Sequence, residues 1–309
     1  MQVFTDHLTL PDEAKGCTVV IGNFDGVHMG HRMLIELARK KSKESESKLL
    51  ILTFNPHPRR YFMPEAAPFL ITPGAQHSEY LSKTKADFTL YLNFNQALAH
   101  LTAEQFMAQI LKDALQAKQI IIGDDFCFGQ GRKGNAETLR AAGFHVTALS
   151  KMADSSGRCI SSSRIRDAIS GGDMRKAEQI MGAPFEIRGT VIHGDKRGRE
   201  LGYPTANIRM GEYIHPAYGV YACSVKLPGE DHWRGAATNI GIRPMFESPE
   251  ALIEAFILDY DGDLYGQEVR LRPLRKIRDE KKFESLDQLI DQITQDCAKV
   301  REIVESRTA

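Results

Sequence analysis

The chain has 309 residues, more than a single hydrophobic core usually fills, and 42% of them are hydrophobic, so we expect two globular domains. Its 40 basic and 40 acidic residues cancel to a formal charge of +0, which argues against a nucleic-acid partner or an anionic membrane surface. No apolar run approaches the roughly 20 residues of a membrane-spanning helix, and the first residues lack a secretion signal, so we predict a cytosolic protein.

The chain contains five cysteines, which are far apart and include no C-x-x-C pair. This pattern favours neither a disulfide framework nor a zinc site, so we expect reduced thiols that are mostly buried. The five are Cys17, Cys127, Cys159, Cys223 and Cys297.

The first half of the chain alternates short apolar runs with helical patterns. Strands are predicted at residues 17–24, 48–54, 119–123 and 145–149, and helices at residues 31–44, 102–115 and 135–143. Thr102 is the expected N-cap of the second helix. Such alternation predicts a parallel sheet covered by helices, with ligands bound beyond the carboxyl ends of the strands.

The second half of the chain, from about residue 184, is β-rich. Strands are predicted at residues 185–193, 219–227, 232–242, 250–260 and 266–278. The turn sequences PGED (228–231) and DGDLYG (261–266) are predicted to be hairpins between neighbouring antiparallel strands. We therefore expect a small antiparallel β-barrel.

A helix is predicted at the C-terminal end, over residues 286–304. Its apolar residues lie at helical spacing, so one face is expected to pack against the barrel. They are Leu286, Leu289, Ile290, Ile293, Cys297 and Val300. Pro184 marks the predicted boundary between a domain of residues 1–184 and one of residues 185–309.

The segment IGNFDGVHMGH (21–31) lies where a predicted strand gives way to a helix. Gly30 allows close approach of a ligand, and the helix N-terminus favours a phosphate there. His28 and His31 are placed to donate hydrogen bonds to an α-phosphate during nucleotidyl transfer. An isolated H-x-G-H is as often accidental as functional, but the strand–helix context and the neighbouring Asn23 and Asp25 favour function.

A second phosphate-binding segment is CISSSRIRDAIS (159–170), at the expected start of another helix. Its serines, Ser161 to Ser163, can cap that helix and contact phosphate, although a cap without a ligand is the simpler alternative. Arg164 or Arg166 can neutralise a pyrophosphate leaving group.

A competing interpretation comes from GQGRKG (129–134), which matches the G-x-G-x-x-G fingerprint of nicotinamide-binding folds and has Asp154 twenty residues after its last glycine. However, five residues (124–128) separate the predicted strand from the first glycine, whereas the fingerprint needs its turn at the strand end. An oxidoreductase is therefore the weaker hypothesis. The chain contains no P-loop motif.

Four segments of the first half resemble the adenylyltransferase half of the prokaryotic bifunctional riboflavin kinase/FAD synthetases: IGNFDGVHMGH, FNPHP (54–58), IIIGDDFCFGQGRKGN and ISSSRIR (160–166). Ser163 is a small departure, because the family commonly has threonine there. The resemblance implies ATP bound by Gly22, Asn23, Phe24, His28, Gly30, His31, Ser162 and Arg166, and FMN bound near Asn55, Pro56, His57, Asp125, Phe126 and Phe128.

The second half carries a candidate kinase site. In GRELGYPTANI (198–208), Thr205 and Asn207 project from the same side of an extended chain and offer oxygen ligands that suit Mg²⁺. Glu254 can accept the proton of an alcohol that attacks a γ-phosphate. Taken alone, these features are weak signals. PTAN (204–207) is also a plausible surface turn, and a glutamate in a strand usually faces water.

This half resembles the riboflavin kinase half of the same family in GTVIHGDKRGRELGYPTANI, GVYAC, TNIGIRP (238–244) and IEAFILDYDGDLYG (253–266). The resemblance implies a six-stranded barrel, Thr205 and Asn207 as metal and phosphate ligands, and Glu254 as the base. It also implies ATP contacts from Gly198, Gly202 and Pro204 and a flavin contact from Arg243. Two residues depart from the family: Phe256 replaces a frequent histidine, and Met245 a usual threonine.

The fold class expected is thus an α/β parallel-sheet nucleotidyltransferase domain followed by a small antiparallel β-barrel with a C-terminal helix. The function expected is riboflavin phosphorylation to FMN and adenylylation of FMN to FAD, with Mg²⁺ as cofactor and ATP as co-substrate. Two alternatives stay open: an FAD synthetase whose barrel binds flavin without kinase activity, and a non-enzymatic flavin or nucleotide sensor.

Overall fold

The computed structural model describes residues 1–194, 202–243 and 250–308, with residues 243, 250 and 308 described by their backbone. The predicted ATP-binding Gly198, the side chain of the predicted flavin-binding Arg243, and the departure Met245 lie outside this description. The chain forms two compact units: Met1–Ala66 with Pro73–Ser161, and Ala67–Thr72 with Ser162–Ala309. The domain boundary at residue 184 stays a prediction.

The first unit is built on a six-stranded parallel sheet with strand order β1-β4-β3-β2-β5-β6. The strands are β1 (Gln2–Phe4), β2 (Thr18–Ile21), β3 (Leu49–Asn55), β4 (Phe88–Asn93), β5 (Gln119–Gly123) and β6 (Val146–Leu149). The helices are α1 (Met29–Glu44), α2 (Pro58–Phe62), α3 (Gly74–Ser82), α4 (Gln96–Ala99), α5 (Ala103–Phe106) and α6 (Ala136–Ala141).

The central strands of this sheet are apolar on both faces. In β2, Val19 and Ile21 pack into one hydrophobic cluster, whereas Val20 packs into another on the opposite face. Since successive side chains of a strand point to opposite faces, the two clusters lie on the two sides of the sheet. This arrangement confirms the predicted helix-covered parallel sheet.

The four strands predicted in this half are present, and β1 and β4 are two further strands that were not predicted. The predicted helix over 102–115 begins as α5 and continues as a π-helix, Met107–Ala114. Thr102 is its N-cap, as predicted: Oγ1 accepts from the Gln105 backbone N–H at 3.2 Å, and the Gln105 side chain accepts from the Thr102 N–H at 2.9 Å.

In the residues that the structure describes, the second unit contains two helices, a closed six-stranded barrel and a C-terminal helix. The helices are α7 (Ser162–Ser170), α8 (Met174–Met181) and α9 (Leu286–Thr308). The strands are β7 (Ile187–Ile192), β8 (Ala206–Arg209), β9 (Gly219–Lys226), β10 (Arg234–Arg243), β11 (Glu250–Ile257) and β12 (Glu268–Arg278), in the order β10-β11-β8-β7-β12-β9. The predicted barrel is confirmed, with β8 as an additional strand.

One hairpin prediction is confirmed and the other is wrong. PGED (228–231) joins β9 to β10, which pair with each other. DGDLYG (261–266) joins β11 to β12, but β11 pairs with β10 and β8, whereas β12 pairs with β7 and β9. Both segments have turn chemistry, but local sequence does not specify which strand the following segment joins when a barrel closes.

Helix α9 packs one face against the barrel, as predicted. Val300 and Ile303 are buried with Ala222, Ala237, Leu258 and Leu274 of the barrel strands and their flanks. Leu286, which was expected on the same face, is 54% exposed, because the packed face is confined to the later turns of the helix.

None of the five cysteines forms a disulfide: Cys17 and Cys223 are buried, Cys127 and Cys297 are half-buried, and Cys159 is exposed. The expectation of mostly buried thiols is therefore wrong for Cys159. Within the described parts of the chain, none of the helices combines the length and the apolarity that crossing a membrane requires.

Candidate active sites

Three predicted site segments meet at the carboxyl edge of the parallel sheet. Strands β3, β2 and β5 are neighbours. Asn55 ends β3, Gly22 follows β2, and Asp125 follows β5 by two residues. Because parallel strands end at the same edge, the predicted nucleotide and flavin segments of this unit lie side by side.

His28 is the N-cap of α1. It is buried, and its Nδ1 accepts a hydrogen bond from the backbone N–H of His31 at 3.2 Å. A nitrogen that accepts a hydrogen bond carries no proton, so the proton of a neutral His28 ring is on Nε2. His28 therefore both starts the helix and keeps a donor nitrogen at the helix N-terminus.

The rings of His28 and His31 are stacked, with centroids 3.5 Å apart and planes 16° apart. The edge of the Phe24 ring contacts His31, with centroids 5.3 Å apart at 75°. The predicted catalytic histidines are thus brought together and fixed by packing.

Two predicted ATP-binding glycines lie close to rings of the segment between β2 and α1. A Cβ at Gly30 would lie 3.3 Å from the His28 ring, and a Cβ at Gly22 would lie 3.0 Å from the Phe24 ring. A side chain at either position would need the neighbouring ring to shift by a few tenths of an ångström. Asn23 is exposed, and its carbonyl accepts a hydrogen bond from Thr53 Oγ1 at 3.2 Å.

The predicted flavin segments have defined local structure. The Asn55–Pro56 peptide bond is cis. His57 caps α2, with its Nδ1 accepting from the Arg59 backbone N–H at 3.1 Å. Asp125 is exposed and pairs with Lys151 Nζ at 2.9 Å, and this hydrogen bond raises the pKa of Lys151.

The two predicted flavin-binding phenylalanines have different environments. Phe128 is buried in the core of the unit, 5.4 Å between ring centroids from Phe106. The half-buried Phe126 stacks on Phe128 at 5.8 Å and 18°. Phe126 is therefore the more exposed of the two rings, and Phe128 packs against it.

Phe62 is an exposed aromatic residue near this edge that was not among the predicted site residues. Phe62 ends α2 and is 64% exposed, with its ring 5.7 Å from Phe94 and 5.2 Å from Tyr61. A large exposed aromatic residue supported by other rings offers a flat apolar surface to a ligand. The sequence signal for it was the adjacent aromatic pair Tyr61 and Phe62, shortly after the FNPHP motif.

The predicted Ser162 and Arg166 belong to the second unit, where both lie in α7. Arg166 Nε donates to the Phe69 carbonyl at 2.8 Å, and its guanidinium lies 5.5 Å from the centroid of the Phe69 ring. These contacts hold the arginine stem in place. Its predicted role at a pyrophosphate stays a prediction.

The register of the barrel brings the predicted kinase residues into one row. Glu254 of β11 pairs with Asn207 of β8 on one side and with Asn239 of β10 on the other. Directly paired residues project from the same face of a sheet, so the three side chains line one face. Thr205, two residues before Asn207, is half-buried. The sequence predicted Thr205, Asn207 and Glu254, but their adjacency required the strand pairing.

Asn239 and Glu280 were not predicted. Asn239 Nδ2 donates to Glu280 Oε1 at 3.2 Å, whereas the buried Asn239 Oδ1 has no hydrogen-bond partner among the described residues. Gly241 leaves room for Glu280, because a Cβ there would lie 3.2 Å from the Glu280 carboxyl carbon. Asn239 lies in the TNIGIRP motif, whereas no sequence signal indicated Glu280.

Asn207 and Thr205 fit a magnesium ion in donor chemistry. Asn207 Nδ2 donates to the Thr205 carbonyl at 3.3 Å, which leaves the amide oxygen to accept or ligate. The absent side chain of Gly194 provides space beside this oxygen, since a Cβ there would lie 2.9 Å from Oδ1. Hydroxyl and amide oxygens are hard ligands of the kind Mg²⁺ prefers.

Phe256, the departure from the family histidine, is a packing residue. It lies two residues from Glu254 and packs against the cluster between the barrel and α9. Its ring is 5.1 Å from that of Tyr203, whose hydroxyl bonds Thr294 Oγ1 at 3.0 Å. Phe256 thus joins the segment before Thr205 to α9.

The loop residues Gly202 and Pro204, predicted to bind ATP, are exposed and precede β8. Gly202 has φ +81°, a conformation that favours glycine.

The GQGRKG segment does not have the geometry of a dinucleotide fingerprint. Strand β5 ends at Gly123, well before the first glycine. Gly129 packs against the start of α5, where a Cβ would lie 2.6 Å from the Ala103 nitrogen, and a Cβ at Gly134 would lie 2.7 Å from the Phe128 ring. These glycines are explained by packing, which agrees with the lower weight given to the oxidoreductase hypothesis.

The fold and the site residues define a two-domain transferase class, with an α/β nucleotidyltransferase half followed by a closed antiparallel barrel. Residues 10–164 match the family model described as FAD synthetase, and residues 181–304 match the model described as riboflavin kinase. The chain belongs to the family of bifunctional riboflavin kinase/FMN adenylyltransferases. The resemblance inferred from the motifs and the predicted fold class are confirmed.

Individual relatives agree over most of their length. The bifunctional riboflavin kinase/FMN adenylyltransferase of Haemophilus influenzae is 40% identical over 286 residues, which cover 91% of this chain and 92% of the relative. The Escherichia coli K12 protein of the same name is 37% identical over 292 residues, covering 93% of each. A crystal structure described as a macrolide-efflux protein from Streptococcus pneumoniae is similar with a TM-score of 0.85 and 34% identity, covering 97% of this chain and 98% of that one.

Proposed function

We propose that this chain converts riboflavin to FMN in the barrel and FMN to FAD in the α/β half, using one ATP for each step. The register that places Glu254 between Asn207 and Asn239 supports the kinase step most directly. This step is also the one that the departures at Phe256 and Met245 put in question.

In the kinase step, the Glu254 carboxylate accepts the proton of the ribityl 5′-hydroxyl while that oxygen attacks the γ-phosphorus of ATP. The bond between the γ-phosphorus and the β,γ-bridging oxygen breaks, and ADP leaves. Thr205 and Asn207 would hold Mg²⁺, which would offset the phosphate charge. The other contacts assigned to this step are those of Gly198, Gly202 and Pro204 with ATP and of Arg243 with the flavin.

In the adenylylation step, a phosphate oxygen of FMN attacks the α-phosphorus of ATP, and the bond to the α,β-bridging oxygen breaks to release pyrophosphate. His28 and His31 donate hydrogen bonds to the charge that develops on the α-phosphate. The N-terminus of α1 adds a partial positive charge at the same place. The remaining ATP contacts assigned to this step are Gly22, Asn23, Phe24, Gly30, Ser162 and Arg166.

The flavin ring of FMN lies against Phe126, which Phe128 supports, and against the exposed ring of Phe62. The other residues assigned to this site are Asn55, Pro56, His57 and Asp125. The substrates are small molecules. A cytosolic location and the lack of a nucleic-acid partner stay predictions from composition.

The main alternative is an FAD synthetase whose barrel no longer phosphorylates riboflavin. The packing of Phe256 beneath α9 weighs against this alternative. It explains the phenylalanine by packing and leaves the row of Asn207, Glu254 and Asn239 unchanged. A non-enzymatic sensor is less well supported, since binding alone does not require a base at Glu254 or two donors at His28 and His31.

The test is a chromatographic time course of riboflavin, FMN and FAD with ATP and Mg²⁺, started in parallel from riboflavin and from FMN. We compare the wild-type chain with Glu254→Gln and His31→Gln, each the matched control for the other. Glu254→Gln is expected to lower riboflavin phosphorylation at least about 100-fold and leave the conversion of supplied FMN intact. His31→Gln is expected to let FMN accumulate.

If the wild-type chain converts FMN to FAD but leaves riboflavin unchanged, the protein is an FAD synthetase with an inactive barrel. Binding of flavin without either product would establish the sensor. If both variants impaired both steps equally, the assignment of one step to each half would be wrong.

A further inference from the structure

The loop between β2 and α1 has an unfavourable backbone conformation. Phe24 and Val27 have φ of +53° and +39°, in the left-handed region that non-glycine residues seldom adopt, and Gly26 between them has φ +84°. A non-glycine residue keeps such a conformation only where its surroundings hold it. The groups that hold this loop therefore help to set the positions of His28 and His31, which follow it.

The Phe24 carbonyl accepts two hydrogen bonds. One comes from the Val27 backbone N–H at 2.9 Å and closes the turn. The other comes from His77 Nε2 at 3.2 Å, from helix α3. Since a carbonyl oxygen has two lone pairs, these two donors satisfy it completely.

His77 is held in one tautomer. It is 8% exposed, and its Nδ1 lies 3.1 Å from the Tyr91 hydroxyl of β4. Because a carbonyl only accepts, Nε2 carries the proton, and the Tyr91 O–H donates to Nδ1. Burial raises the pKa of Tyr91 to about 12, so this hydroxyl keeps its proton at neutral pH.

The environment keeps His77 neutral. Its burial lowers the pKa of His77 below 6.5, and the opposing effects of the buried Asp25 and of the Phe24 hydrogen bond do not reverse this direction. Asp25 on the loop and Tyr91 on β4 are the titratable groups that face the ring. A neutral ring with its proton on Nε2 is the form that the Phe24 carbonyl requires.

The contacts continue from His77 to the proposed catalytic residues. Phe24 is completely buried, and the edge of its ring contacts His31, which stacks on His28. A change in the backbone of Phe24 would therefore move the ring that packs against His31.

We propose that His77 is a positioning residue for adenylyl transfer: its Nε2–H holds the Phe24 carbonyl, and through the Phe24 ring it fixes His31 against His28. The proposal rests on the proposed function of the α/β half. Nothing in the motifs predicted it, since His77 lies outside all of them.

The test compares kcat and KM for FMN adenylylation in the full chain, using His77→Leu, which removes the donor at similar volume, and His77→Gln, whose side-chain N–H can replace Nε2–H. His77→Leu is expected to lower kcat about tenfold, the effect of one lost hydrogen bond, with little change in the KM for ATP. His77→Gln is expected to recover most of the loss. Riboflavin phosphorylation by the same samples is expected to be unchanged.

A matched control is available in the barrel unit, where His215 Nδ1 lies 3.2 Å from the Tyr218 hydroxyl. His215→Leu removes a similar histidine–tyrosine pair and is expected to leave FMN adenylylation unchanged.

Three results would overturn the proposal: an unchanged kcat in His77→Leu, equal losses in the leucine and glutamine variants, or a parallel loss of riboflavin phosphorylation. If His77→Leu does not fold, the ¹⁵N spectrum of the wild-type histidines decides. A proton on Nε2 alone supports the proposal, and a proton on Nδ1 overturns it. A wild-type chain that forms no FAD from FMN refutes the proposed function itself, whereas an active wild type with an unaffected variant refutes only the role of His77.

Discussion

The carboxylate of Glu186, just before β7, is surrounded by three arginines. It accepts from Nε of Arg188, Arg270 and Arg272, each at 2.9 Å, and its side chain is completely buried. Arg272 lies over the Trp233 ring, 3.8 Å from the centroid. A buried carboxylate is tolerated only with such partners, and removing one side of the arrangement leaves buried charges uncompensated.

Glu186 therefore makes barrel stability depend on pH. Burial raises the pKa of Glu186, but the hydrogen bond from Arg270 and the charges of Arg272 and Arg270 outweigh it, so the pKa lies below 4.5. A depressed carboxylate pKa contributes stability above pH 4.5, and the contribution is lost as the pH falls through the folded-state value. We expect Glu186→Gln to lower the free energy of unfolding by about 3 kcal/mol at pH 7.

The measurement is urea unfolding at a series of pH values, with Glu268→Gln as the control, because Glu268 is an exposed carboxylate on the same barrel. The difference between wild type and Glu186→Gln is expected to narrow below pH 4.5. A difference that is independent of pH would show that the carboxylate charge is not what stabilises the barrel.

At the scale of elements, the segment between β5 and α6 is attached to the start of α5. Gln130 donates its backbone N–H to the Leu101 carbonyl at 2.7 Å, and Gly129 lies against the Ala103 backbone. This attachment places Phe128 beneath Phe126, the proposed flavin-contacting ring. The packing of a loop against a helix start thus determines part of the flavin site.

Two glycines in this segment form a matched pair for testing that attachment. Gly129 and Gly131 have φ of +73° and +67°, so alanine costs about 1 kcal/mol of backbone strain at either position. Only Gly129→Ala adds a steric clash, because its Cβ would lie 2.6 Å from the Ala103 nitrogen, whereas at Gly131 the nearest atom is 3.9 Å away. We expect Gly129→Ala to cost about 2 kcal/mol more than Gly131→Ala and to weaken FMN binding.

Thermal unfolding and fluorescence titration with FMN measure the two effects. Equal destabilisation by the two variants would mean that the loop moves away from α5 without cost.

At the scale of the whole molecule, helices α7 and α8 group with the barrel, although they precede the predicted boundary at residue 184. Arg307 of α9 pairs with Glu178 of α8 at 2.6 Å, and the Ala217 N–H, just before β9, donates to the Ile169 carbonyl of α7 at 3.3 Å. These contacts predict that α7 and α8 unfold together with the barrel.

Hydrogen exchange can test this prediction with Glu186→Gln, which destabilises the barrel selectively. We expect amides of α7 and α8 to lose protection together with those of β9 and β12, while β2 and β3 keep theirs. If α7 and α8 instead retain protection with β2 and β3, the cooperative boundary lies near residue 184, as the sequence predicted.

Much of the fold was predictable because its signals are local. The apolar runs of β2, β3 and β5 and the turn at PGED each specify an element within a few residues. Strand β4 was missed although it occupies an inner position of the sheet, and the DGDLYG segment was assigned to the wrong pairing. The second error arose because the partner of a strand depends on residues far away in the chain.

The site residues also divide into those with a local sequence signal and those positioned by contacts distant in the chain. His28, His31, Thr205, Asn207 and Glu254 could be named because each lies in a short motif whose residue types suit phosphate or metal chemistry. The other residues have no such motif. His77 is positioned by helix α3, Asn239 by the pairing of β10 with β11, and Glu280 by its packing against Gly241.

The sequence alone therefore determined the two halves, their chemistry and the residues within each motif, because composition, periodicity and turn chemistry act over short stretches of chain. The tertiary structure decided that Glu254 pairs with an asparagine on each side, that Phe126 stacks on Phe128, and that His77, which lies outside every motif, bonds the Phe24 carbonyl. Side chains distant in sequence become neighbours only when strands pair and helices pack, and no local pattern encodes those contacts.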